Sequence, residues 1–98
     1  MSSLERPLNP KGDEQVTVSN VAVGLTVPSG ARRAVIQVKT AAIYFCEDGG
    51  TPSSSNGLTA DIDDILEYLD ADYASLLPRF KAIRQGAADA TLKVSYLD

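Results

Sequence analysis

The chain has 98 residues, 44% hydrophobic and 22% charged, the make-up of one globular domain with room for a single small core. With no histidine and one cysteine it cannot build a Ser-His-Asp or Cys-His pair, an imidazole metal site, an internal disulfide or a zinc cluster, so a non-catalytic protein without cofactor or metal is expected. The net charge of −4 argues against nucleic acid as a partner, and the longest apolar run, Ala41 to Cys46, is far short of a membrane span, so a protein that is cytosolic when made is expected.

Residues 1–15 carry Pro7, Pro10 and Gly12-Asp13, with Leu4 and Leu8 as the only large apolar side chains after the initiator Met. They offer no alternating face and read as an extended arm that only a neighbour could order, leaving residues 16–98 as the domain. From Val16 the apolar positions recur with period two: Val16 and Val18, then, after a shift of parity at Ser19-Asn20, Val21 to Val27. Pro28-Ser29-Gly30 ends that run. Ala34, Ile36 and Val38 make the next strand, and Ile43 and Phe45 continue after a link at Thr40 to Ala42.

Glu47 to Gly57 is a long connection rich in Gly, Pro, Ser and Asn, and so a candidate contact surface. Two patterns compete from Thr59 to Tyr73. Ile62, Ile65, Leu66, Leu69 and Tyr73 fall at helical spacing behind a possible Thr59 cap, whereas Leu66 and Tyr68 also alternate with Glu67 as in a strand. Arg79 to Gln85 reads as a strand with Pro78 at its start, Gly86 to Asp89 as a turn, and Leu92, Val94 and Tyr96 as the last strand. Seven or eight short strands are implied, an all-β class.

No residue set points to catalysis. Asp61, Asp63 and Asp64 invite a calcium reading, but the EF-hand spacing would need Gly where Leu66 stands and Glu where Asp72 stands. Charge is nonetheless segregated: no Lys or Arg lies between Lys39 and Arg79, and the acids of Glu47 to Asp72 form a solvated face or one half of a charge-complementary contact. Cys46, beside Glu47 and Asp48, reads as an inert thiol, since neighbouring carboxylates raise a thiol pKa.

Taken together, Val27-Pro28, Ala34 to Val38, Ala41 to Ile43 with Phe45, Asp48-Gly49 with Thr51-Pro52 and Gly57, Asp64 to Tyr68, Phe80 to Arg84, and Asp89 to Leu92 with Val94 to Tyr96 resemble a family of small β-sandwich virion proteins of tailed bacteriophages and prophages. The resemblance implies a strand near Asp64 to Leu69, with a possible helical turn in Asp70 to Leu77. Cys46 departs from it, standing where a basic residue is common. It implies an antiparallel, jelly-roll-like β-sandwich and a structural function, foremost a capsid decoration or cement protein on the outside of the head. The alternative is a tail, fibre or baseplate recognition module. The expected partners are the major capsid protein or other virion proteins and further copies of the chain as a dimer or trimer, with no nucleic acid and no membrane. The location is the virion, assembled in the bacterial host cytoplasm. Candidate contact residues are Leu4 and Leu8 in the arm and Glu47, Asp48, Thr51 and Pro52 in the long loop.

Overall fold

The structure, a computed structural model, describes residues 10–69 and 75–98. Its strands are β1 (Pro10–Val18), β2 (Val23–Gly24), β3 (Arg33–Lys39), β4 (Ile43–Cys46), β5 (Leu58–Ala60), β6 (Ile65–Tyr68), β7 (Lys81–Arg84) and β8 (Ala90–Leu97). Sheet one has the order β1-β8-β3-β6 and sheet two the order β2-β7-β4-β5, all pairs antiparallel. First pairs with last, second with seventh, third with sixth and fourth with fifth. The chain is thus one long hairpin wound over itself, with β8 on β3 and β7 on β4 completing the sheets, which is the strand order of a jelly roll. The all-β antiparallel sandwich expected from the sequence is the observed fold.

The period-two pattern explains which faces meet. Val16, Val18, Ala34, Ile36, Val38, Leu92, Val94 and Tyr96 turn inward from sheet one onto Ile43, Phe45, Ala60 and Ala82 of sheet two. Phe80 fills the centre, stacked on Phe45 with ring centroids 5.5 Å apart and met edge-on by Tyr68 at 6.4 Å. Registers such as Pro10↔Leu97 and Arg33↔Leu97 place Pro10, the C-terminus and the β4–β5 loop at one end. The short β1–β2, β3–β4, β5–β6 and β7–β8 connections cap the other.

Three expectations change, and one pair of competing patterns is decided. The extended arm expected over residues 1–15 is shorter, because Pro10 to Gln15 belong to β1 and pair with β8; an edge strand held from one side needs no apolar side chains at its exposed end. Residues 1–9, with Leu4 and Leu8, lie outside the described residues. The Val21 to Val27 strand shrinks to Val23–Gly24, Val21 being 69% exposed. The helical spacing after Thr59 is unused as far as Leu69: Leu58–Ala60 and Ile65–Tyr68 are strands joined by a turn, so the strand implied near Asp64 to Leu69 is the one observed. Positions 70–74, including Tyr73, lie outside the described residues. Last, Leu77–Arg79 is a short 3-10 turn with Pro78 in its first turn, so the strand expected from Arg79 begins at Lys81.

Candidate functional site

The β4–β5 loop is tied down from within. The Asp48 carboxylate accepts from the Gly50 N–H at 2.9 Å, and Ser53 and Asn56 exchange backbone hydrogen bonds of 2.8 and 3.3 Å across a tight turn. The Asn56 side-chain amide donates to the Thr51 carbonyl at 2.9 Å. Gly57 then passes against β4 at φ +113°, so close that a Cβ would stand 2.6 Å from the Phe45 carbonyl oxygen. Each bond is local, in keeping with a segment built of Asp, Ser, Asn and Gly.

Of the candidate contacts in this loop, Thr51 and Asp48 are exposed, the latter with its carboxylate partly engaged. Glu47 is half-buried and accepts the Tyr68 hydroxyl proton in a hydrogen bond, joining sheet one to the end of β4. Pro52 is a correction: it is among the fully buried side chains and packs inward, as an apolar ring does when the loop folds over the sandwich end. The loop therefore presents a small polar tip at Thr51 beside a shallow, open cleft lined by Cys46, Glu47, Asp48, Asn56, Gly57 and Leu58. Cys46 is buried, and burial pushes its thiol pKa up, with the Asp48 charge adding to the effect.

Two further acidic devices escaped the sequence reading. Glu14, half-buried on β1, accepts from the buried Tyr96 hydroxyl and from the Thr26 N–H at 2.9 Å, tying the edge strand to the connection after β2. Burial first, then the hydrogen bond to Glu14 and its charge, raise the Tyr96 pKa far above the ordinary phenol value. At the far end, Asp64 accepts from the Asp61 N–H at 2.8 Å, Asp61 from the Ile62 N–H at 2.9 Å, and Asp63 pairs with Lys39 at 2.7 Å. Of the acids that invite a calcium reading, Asp61 and Asp64 serve as turn acceptors and Asp63 as the partner of Lys39. Among the described residues no group of three or more His, Cys, Asp or Glu is placed to hold a metal ion, and no helix is long and apolar enough to cross a membrane.

What the sequence hid most completely is apolar exposure along one side. Leu58, Ile65 and Leu69 are 54%, 55% and 42% exposed, on or beside the edge strands β5 and β6. Ile65 and Leu69 stand at the helical spacing read after Thr59, which disguised them as core. Compared with protein-family models, with curated proteins and with solved structures, the chain matches none.

Proposed function

We propose that this chain is a bacteriophage virion protein that binds the outside of the assembled head and stabilises it, with the major capsid protein as its partner. The observation that carries the reading is the jelly-roll strand order in so short a chain, an architecture recurrent in viral shells and lectins. This is fold-level support, joined by the resemblance of the motifs from Val27 to Tyr96. A net charge of −4 suits an exterior position, away from packaged nucleic acid. Stabilisation follows from mass action: a protein that binds the assembled shell and not its free subunits shifts the equilibrium toward the shell.

The test compares particles made with and without the chain. The expected result is earlier release of packaged DNA on heating when it is missing, with hundreds of copies per particle by gel densitometry when it is present. Equal heat resistance overturns the stabilising role. A copy number in the tens or below favours the tail, fibre or baseplate, where the polar tip at Thr51 would be the contact.

A further inference from the structure

Strand β6 closes one side of sheet one, and among the described residues nothing pairs with its outer edge. The Val38 N–H bonds the Asp64 carbonyl at 3.0 Å, in line with the Ile36↔Leu66 and Ala34↔Tyr68 register. The alternation of an antiparallel ladder therefore turns the amides of Leu66 and Tyr68 toward β3 and those of Ile65 and Glu67 outward. On the outer face the side chains run Ile65, Glu67, Leu69, two exposed apolar groups flanking an acid. Glu67 is a charge of the kind that guards a free edge, and the exposed Ile65 and Leu69 on either side of it leave that edge open to a strand of complementary charge.

The complement lies in the chain itself. Residues 4, 6 and 8 are Leu, Arg and Leu. Laid antiparallel with Arg6 opposite Glu67, Leu4 meets Leu69 and Leu8 meets Ile65. The backbone amides of Arg6 and Leu8 then face those of Glu67 and Ile65, and both can exchange hydrogen bonds. Pro7, which has no N–H, falls in the opposite phase, with its nitrogen turned away from the ladder, where it also blocks addition of another strand. Beyond Glu67 the ladder stops, because the Leu69 carbonyl is held by Arg33 Nε at 2.8 Å.

We propose that residues 1–9 of one copy add as a strand to the β6 edge of a second copy. The donor cannot be the same chain. β1 and β6 are opposite edges of sheet one, with β8 and β3 between them. A strand added outside β6 lies about 19 Å from β1, four strand spacings, whereas the step from Leu8 to Pro10 spans about 7 Å at most. Donor and acceptor are different surfaces, so the exchange closes as a reciprocal pair or a ring. This assignment does not depend on the capsid reading.

The test is the mass of the full-length chain by sedimentation, alone and with Arg6→Glu, Glu67→Arg or both. The wild-type chain is expected to associate, each single reversal to weaken association roughly tenfold, and the exchanged pair to recover to within about threefold. Glu67 is exposed, so its reversal leaves the fold intact. In a chain carrying Leu8→Cys and Ile65→Cys, oxidation is expected to give covalent oligomers. A monomeric wild-type chain, an association indifferent to the reversals, or a disulfide closed within one chain each overturns the proposal.

Discussion

Gly57 shows how one residue can fix the end of a loop against its neighbouring strand. Its φ of +113° is closed to L side chains, and an added Cβ would also stand 2.9 Å from Cys46 Sγ. Gly57→Ala should cost about 2–4 kcal/mol, read as an earlier urea midpoint with unchanged slope, because the strain at residue 57 adds to a clash with the Phe45 carbonyl, β4 backbone that cannot move without disturbing the Phe45 ring. Tyr96 yields a prediction of a different kind. Its folded pKa is raised, so its contribution to stability is whole below the unfolded phenol value of about 10 and is lost as pH rises above it, where the unfolded chain releases the proton and the folded chain holds it. Denaturant titrations should show stability falling above that pH, and Tyr96→Phe should flatten the decline while costing about 1–2 kcal/mol near neutrality, since Glu14 keeps the Thr26 N–H. A wild-type curve flat through alkaline pH would contradict the burial of this hydroxyl. The sequence places Tyr96 on an inward face by alternation, but nothing in it pairs Tyr96 with Glu14, far away along the chain.

At the scale of elements, legibility follows how much of a strand's identity its own side chains carry. β3 and β8 are central strands with an inward face of Ala34, Ile36 and Val38 or Leu92, Val94 and Tyr96, and alternation finds them. β1 from Pro10 to Gln15 owes its place to main-chain pairing with β8, which leaves no mark in hydropathy. β5 is only Leu58–Ala60, too short for a period to show. In β6 and just after it the exposed Ile65 and Leu69 imitate a helix face because apolar edge residues and apolar core residues look alike in a sequence. The candidate contacts divide similarly: composition located the loop, yet could not tell that Pro52 folds inward while Thr51 stays out. The β1 boundary can be tested by truncation. Removing residues 1–9 should leave the circular dichroism spectrum unchanged and, at dilutions where the full-length chain is dissociated, the unfolding midpoint within error. Removing residues 1–15 takes Glu14 from Tyr96 and strips the outer edge of β8, and should destabilise by several kcal/mol or abolish folding. If the longer truncation were as stable as the shorter, β1 would contribute nothing before Val16.

The whole molecule is a hairpin wound on itself, and that topology orders its assembly. Pairing begins across the β4–β5 loop, where Tyr44 meets Thr59, and each outer pair, β3 with β6, β2 with β7 and β1 with β8, must close a longer stretch of chain. Closure entropy rises with loop length, so contacts around Phe45, Ile43 and Ile36 can form before the chain ends are brought together, whereas Val16 meets Leu92 only when nearly the whole chain has been gathered. Folding should accordingly take milliseconds to seconds, as in other sandwiches dominated by distant pairings. Substitutions should partition by layer. Phe45→Leu and Ile36→Val, at buried positions in the inner pairs, should slow folding, with φ values of about 0.5 or above. Val16→Ala, also at a buried position but in the outermost pair, should act mainly by speeding unfolding, with φ below about 0.3. Stopped-flow chevrons of these variants decide the matter: a Val16→Ala variant that slows folding as much as Phe45→Leu would mean that the chain ends meet early and that the winding proceeds from the outside in.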